Sequence, residues 1–245
     1  LCKESFSIDK IIVDSKSLFN VIEDLIQKSG NESIEIVYKK ELSKTIKDLL
    51  KFLYYEWFFF IRLCRKIISM MLPGSKSYLD SENPLTLVDT FITSSYIEED
   101  RWYGSFWENI DKKIQKEIFF VPTVVDEGLI KFYKILKGIR FSQKNYILKE
   151  DFLYLSDFIE AYKHKRRVKK INIGKSFLEG VDLTELIKEC LLLNRDVHST
   201  MESFLTYKFI KNLSLKNVKV RLSIDWFEGH SVDKMWNLAM YNYFP

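Results

Sequence analysis

A chain of 245 residues, 47% hydrophobic and 29% charged, is long enough for one large or two small globular domains, and this composition excludes a disordered or fibrous protein. Thirty-eight Lys and Arg against thirty-four Asp and Glu leave a formal charge of only +4, so the overall balance does not call for nucleic acid as a partner. Cys2, Cys64 and Cys190 have neither metal-like nor redox-like spacing, and they fit a reducing compartment better than a disulfide framework.

The first predicted strand is Ile11 to Val13. Ser17 is placed to cap a helix carrying Leu18, Val21, Ile22, Leu25 and Ile26, which Ser29, Gly30 and Asn31 close. A second strand, Ile34 to Tyr38, completes the strand-helix-strand rhythm of a parallel βαβ unit. From about Glu41 to Leu72 neither Gly nor Pro interrupts, which predicts one long helix or two nearly continuous ones, ended by Pro73 and Gly74. Leu49, Leu50, Leu53, Trp57, Phe60, Ile61, Cys64, Ile68 and Met71 are expected on one face. Tyr55, Phe58 and Phe59 are expected on the other, beside Lys51, Arg62, Arg65 and Lys66. The charges interrupt too often for a transmembrane span, which needs ~20 nearly uncharged residues. Two readings remain: a core helix with a broad apolar stripe, or a helix lying in the headgroup layer of an anionic membrane through Trp57, Phe58, Phe59 and Arg62.

After a linker from Gly74 to Pro84, the run Leu85 to Val88 predicts a strand with Asp89 at its exit. Arg101, Trp102, Tyr103, Trp107 and Glu108 then combine a guanidinium with stacking surfaces, a combination suited to sugar rings or nucleobases; a surface helix anchored by its tryptophans reads the same way. Glu117 to Val125 predicts another strand, bent or at a sheet edge because of Pro122. A helix from Asp126 to Gly138, a short strand from Tyr146 to Leu148 with Lys149, Glu150 and Asp151 at its exit, and a helix from Phe152 to Tyr162 follow. They lead into the one dense basic run, Lys163 to Lys170. There Lys165, Arg166 and Arg167 suit either a solvated helix end or contact with lipid headgroups or a polyphosphate, and no nucleic-acid recognition motif accompanies them. Gly174, Lys175 and Ser176 lack the upstream glycine of a phosphate loop. Helices from Thr184 to Leu193 and from Ser199 to Asn212 come next, with His198 at the start of the second.

The segment Val218 to Pro245 carries the strongest site signal. Val218, Val220, Leu222 and Ile224 alternate with Lys219, Arg221 and Ser223, the pattern of a buried strand. Asp225, Trp226, Phe227, Glu228, Gly229 and His230 stand at its exit, before a helix that Ser231 can cap and Asp233 can favour. Carboxyl ends of strands form the ligand crevice of an open α/β sheet, so this cluster marks a candidate site; a core Trp with capping acids is the alternative.

In order, LVDTFI, EEDRWYGSFWENI, IFFVPTVV, NYILKEDFLYLSD, EGVDLTELIKE and IDWFEGHSVDKMWNLAMYNYFP resemble bacterial surface-carbohydrate biosynthesis proteins, a group of transferases of O-antigen and capsule gene clusters with the two-domain GT-B glycosyltransferase fold. The resemblance covers roughly Leu85 to Pro245. Against the family's Trp-Phe-Glu-Asn-Gln, Asp and Asn-Leu-Gly pattern, Trp226, Phe227, Glu228, Asp233, Asn237 and Leu238 match, whereas Gly229, His230 and Ala239 depart. The resemblance implies a Rossmann-like parallel sheet flanked by helices: a single α/β domain over 1–245, with a βαβ and long aromatic helix in 1–73 and the Rossmann-like remainder in 85–245. That domain is then the N-terminal, acceptor-side half of a longer two-domain protein. It also implies transfer from a nucleotide-sugar to a lipid-linked or glycan acceptor, with no cofactor and no obligatory metal, in the cytoplasm against the inner face of the plasma membrane. Glu228 is then the first candidate for the catalytic base, with Asp89 second and His230 third. Trp226, Arg101, Trp102, Tyr103 and Asp233 are the acceptor-binding candidates, and Trp57 with Arg166 marks the membrane-facing side. Two rival readings are a non-catalytic domain docking on a membrane or partner, and a hydrolase using Asp89, Glu228 and His198.

Overall fold

The computed structural model describes residues 8–30, 33–39, 43–72, 74, 83–93, 95–98, 103–124, 128–168, 170–192 and 197–245, with the side chains of 43–48, 51, 165, 192, 197 and 198 outside the description. The protein is mixed α/β. Its elements run β1 (Lys10–Val13), α1 (Lys16–Ser29), β2 (Glu35–Tyr38), α2 (Ser43–Met71), β3 (Leu85–Ile92), α3 (Lys112–Gln115), β4 (Ile118–Val124), α4 (Leu129–Phe141), α5 (Lys149–Phe152) and α6 (Leu155–Tyr162). There follow α7 (His164–Val168), β5 (Phe177–Leu178), β6 (Val181–Asp182), α8 (Thr184–Leu192), α9 (Val197–Leu215), β7 (Val220–Ile224) and α10 (Ser231–Tyr243). They fall into two compact units, Leu1–Tyr54 with His164–Arg195, and Tyr55–Lys163 with Asp196–Pro245. The units part inside α2 and not at the 74–84 linker, and the basic helix α7 groups with the N-terminal βαβ.

In the first unit β1 and β2 pair in parallel from Lys10↔Glu35 to Val13↔Tyr38. Ser15, not Ser17, caps α1: its Oγ accepts from the Leu18 backbone N–H at 3.0 Å, because the strand has already ended and Ser15 keeps an extended backbone. Gly30, at φ +67°, ends the helix in the left-handed conformation that glycine adopts without strain.

The second unit is built on a three-stranded parallel sheet in the order β4-β3-β7. A parallel bridge between Phe120 and Tyr146 continues it beyond β4. Strand β3 lies in the middle, and every residue from Leu85 to Thr90 is buried, as expected of a strand covered on both faces. On one face Ile92 and Val124 pack on Phe132, Ile135, Leu136 and Ile139 of α4, while Val88 and Phe120 meet Trp107. On the other, Leu85, Leu87 and Val121 pack on Phe209 and Ile210 of α9, Trp236 of α10 and Tyr55 and Phe58 of α2. From β3 the chain steps outward to β4 and Tyr146, then returns across β3 to β7. Successive crossovers therefore cover opposite faces, an arrangement compatible with the expected Rossmann-like architecture. Ligands of such sheets bind where the order reverses, here between β3 and β7.

Three expectations change. Asp89 lies inside β3, three residues before its end, not at its exit. Strand β7 is not a buried strand: it is an edge of the sheet, with Leu222 50% exposed, because among the described residues it pairs only with β3. Helix α2 buries its aromatic and basic face, which carries Phe58 and Arg62 of the expected membrane contacts. Tyr55, Phe58, Arg62, Arg65 and Ser69 are inside, whereas Leu49, Leu53, Trp57, Phe60 and Met71 are exposed.

Candidate functional site

Asp89 alternates along β3 with Leu85 and Leu87, so its carboxyl points to the face covered by α9 and α10, at the polar end of an apolar layer. It is 2% exposed. No donor among the described residues reaches its buried Oδ1. Burial pushes its pKa up to about 7; Lys149 opposes that rise, and the charges of Asp225, Asp233 and Glu202 add to it. The neighbouring strand supplies a second acid. Val88 pairs with Ile224, so the next residues are Asp89 in β3 and Asp225 just past the end of β7, on the two strands that flank the order reversal. Asp225 Oδ2 accepts from Asn237 Nδ2 at 2.5 Å, while its Oδ1 is buried without a partner among the described residues. Burial lifts the Asp225 carboxyl to about 6, against the hydrogen bond from Asn237.

Beside this pair lies a layer of engaged charges. Lys149, the first residue of α5 and 3% exposed, donates from Nζ to Thr123 Oγ1 at 2.7 Å and Thr206 Oγ1 at 3.1 Å, and stands 4.0 Å from Glu202. Arg62 forms an ion pair with Glu202. Arg65 Nη1 donates to the carbonyl of Val124, the last residue of β4, at 3.2 Å. Burial raises the Glu150 carboxyl against the charge of Arg62, and it lowers Lys66, whose Nζ donates to the Glu150 carbonyl at 2.6 Å. Asp151 is gripped at 2.8 Å by Arg140 and at 2.7 Å by Ser69. Arginines carry buried pairs of this kind because the guanidinium is always charged and donates in a fixed fork.

The turn after β7 is organised as a helix start. His230 is the N-cap of α10, where Ser231 had been the expected cap. Asp233 Oδ2 accepts from the backbone N–H groups of Glu228 at 3.0 Å and His230 at 2.9 Å, and Gly229 turns the chain at φ +82°. Asp233 is thus a buried cap whose Oδ2 is already committed, which argues against the acceptor contact expected of it. Glu228 is exposed; it accepts from Trp226 Nε1 at 2.8 Å and stands 3.3 Å from His230 Nε2. Trp226 meets the half-buried Tyr103 edge to face, with ring centroids 6.0 Å apart. Arg101 and Trp102 lie outside the described residues, as does the side chain of His198.

The expected membrane-facing set is divided. Trp57 is 59% exposed, but Phe58 and Arg62 are buried and Phe59 is half-buried against Tyr162. Arg166 is exposed and Arg167 half-buried in α7 of the first unit, and the Lys165 side chain is outside the description. No helix among the described residues is long and apolar enough to cross a membrane. Among the same residues no group of three or more His, Cys, Asp or Glu is placed to hold a metal ion.

No protein-family model matches the chain, and neither the curated proteins nor the solved structures contain a match. The site therefore rests on its own geometry. It joins Asp89 with Asp225, Lys149, Glu202 and Arg62, of which the sequence reading had singled out only Asp89 as catalytic. One overlooked signal was Glu202, which falls three, four and seven residues before Leu205, Thr206 and Phe209 and thus puts a charge on the buried stripe of α9.

Proposed function

We propose that the unit of Tyr55–Lys163 and Asp196–Pro245 is the acceptor side of a glycosyltransferase-type enzyme of bacterial surface-polysaccharide biosynthesis, GT-B-like, that moves a sugar from a nucleotide-sugar to a glycan or lipid-linked acceptor at the cytoplasmic face of the membrane. The observation that carries it is Asp89: a buried carboxyl whose Oδ1 has no donor among the described residues, with a pKa of about 7, beside the order reversal of a parallel sheet. A base titrating near the working pH is matched to proton abstraction. In the reaction Asp89 takes the proton of an acceptor hydroxyl, and the oxygen bonds to the anomeric carbon of the donor. The bond from that carbon to the diphosphate breaks, and the electron pair leaves with the nucleotide. Asp89 thereby replaces Glu228 as the first candidate, because exposed Glu228 is engaged with Trp226. Incubating the complete protein with a panel of nucleotide-sugars and acceptor glycans tests the reading. Turnover that falls 100-fold or more in Asp89→Asn supports it; no donor binding and no turnover by the unaltered protein sinks it.

A second reading is a non-catalytic docking domain. The exposed apolar side of α2, with Trp57, Phe60, Ile67, Met70 and Met71, favours it. Co-sedimentation with phosphatidylglycerol vesicles decides the membrane form of that reading: an unaltered protein that stays in the supernatant removes it.

A further inference from the structure

The charged layer beside the sheet is unevenly satisfied. Each of its cations has at least one acceptor: Arg62 has Glu202, Arg65 the Val124 carbonyl, and Lys149 Thr123 and Thr206. Its acids are served less evenly. Asp233 Oδ2 accepts two backbone N–H groups and Asp225 Oδ2 accepts from Asn237, but Oδ1 of Asp89 and Oδ1 of Asp225 are both buried, and both lack a donor among the described residues. Buried acceptors left vacant are uncommon in native structures and point to a group that completes them.

That imbalance selects the chemistry of the ligand. A phosphate or carboxylate would have to share cations that already have acceptors, and would add negative charge next to two acids whose burial already disfavours ionisation. A neutral ligand rich in O–H donors satisfies both vacant oxygens without that penalty. Adjacent strands run about 4.8 Å apart. Asp89 points to the side of the sheet covered by α9 and α10, and Asp225, just past the end of β7, is bonded to Asn237 of α10, so both carboxyls lie on that side. Two hydroxyls on neighbouring carbons of one sugar ring can bridge such a pair. Trp226, next in the chain after Asp225 and half-buried, carries aromatic surface of the kind on which a pyranose packs its apolar face.

We propose that Asp89 and Asp225 together bind a vicinal diol of the acceptor sugar, each vacant Oδ1 accepting one of the two hydroxyls. The inference rests on the transferase reading for its roles: the hydroxyl on Asp89 is the nucleophile, and the one on Asp225 fixes the ring so that this hydroxyl alone faces the donor. Asp225 is accordingly a binding residue, and Asn237, which holds its other oxygen, is a positioning residue.

The test is calorimetric titration of the whole chain, in EDTA, with the methyl glycosides of mannose, galactose and glucose, and with analogues lacking one of two neighbouring hydroxyls. At least one parent glycoside is expected to bind, with a tenfold or greater loss of affinity for its deoxy analogue, for Asp89→Asn and for Asp225→Asn. The deoxy analogues use the unaltered protein, so a variant that fails to fold does not obscure the outcome. Absence of binding to every glycoside overturns the inference, as does equal affinity for parent and deoxy compounds. Binding of Mn²⁺ or inorganic phosphate that the two Asn variants abolish, with no glycoside bound, also overturns it. Diol binding without sugar transfer sinks the transferase reading alone. Transfer that is indifferent to the second hydroxyl sinks the diol alone.

Discussion

Arg62 of α2 and Glu202 of α9 form an ion pair whose side chains are only 6% and 8% exposed. Removing one partner strands a buried charge, which costs about 3–5 kcal/mol, whereas replacing both by apolar groups removes the desolvation cost as well. Glu202→Gln is therefore expected to lower the urea midpoint sharply, and Arg62→Met with Glu202→Leu to cost less than the two single changes together. Equilibrium unfolding of the three variants checks this.

Asp89 makes the opposite kind of contribution. Its folded pKa of about 7 lies above the ordinary value of 3.8, so the native chain keeps a proton that the unfolded chain has lost. Stability from this group is then fullest below about pH 4, declines as pH rises to about 7, and stays low beyond, by at most roughly 4 kcal/mol. Asp89→Asn is expected to flatten that slope and to make the protein more stable at pH 8, while abolishing turnover. Unfolding at pH 5 and pH 8 measures the first effect. A variant less stable than the parent at pH 8 contradicts the assignment.

Asp233 and Glu228 are adjacent in the turn but differ in role. Asp233→Ala removes a helix cap that serves two backbone N–H groups and is expected to cost about 0.5–2 kcal/mol. Glu228→Gln, on an exposed side chain, is expected to change stability by no more than about 0.5 kcal/mol. Their melting temperatures separate the two, and turnover of Glu228→Gln within a few-fold of the parent agrees with Asp89 as the base.

Helix α2 offers a paired test on neighbouring residues. Phe58 is buried, and Phe58→Ala is expected to cost about 3–5 kcal/mol. Trp57 is exposed, and Trp57→Ser is expected to leave stability nearly unchanged while lowering any vesicle binding of the protein. Thermal unfolding and sedimentation of the same two variants read both effects.

Strands and helices were legible where periodicity is strong: β1 with α1 and β2, the whole of α2, β4, and α9. The buried side of α2 was not, because that helix carries apolar residues almost all round and sequence cannot say which stripe the sheet takes. Arg62 and Arg65 read as surface cations, yet the carboxylate of Glu202 and the carbonyl at the end of β4 draw them inside. Likewise Val218 to Ile224 alternate like a buried strand, but a place at the sheet edge leaves both faces of β7 partly open. At the site, the motif around Glu228 was visible because it is contiguous. The set of Asp89, Lys149, Glu202 and Asp225 was not, since only the fold brings those distant segments together.

Thr86 and Arg221, on the paired strands β3 and β7, lie 135 residues apart in the chain. During synthesis β3 and β4 are complete long before β7 emerges, so one side of β3 stays unpaired until β7 is made. A parallel pairing of such long range forms slowly, and an open, apolar strand invites wrong partners while it waits. Strand β7 is thus a checkpoint for assembly. Truncation before residue 220 would leave β3 with one open side and deprive Asp89 of the neighbour that completes its crevice, so a shortened product would be both aggregation-prone and silent.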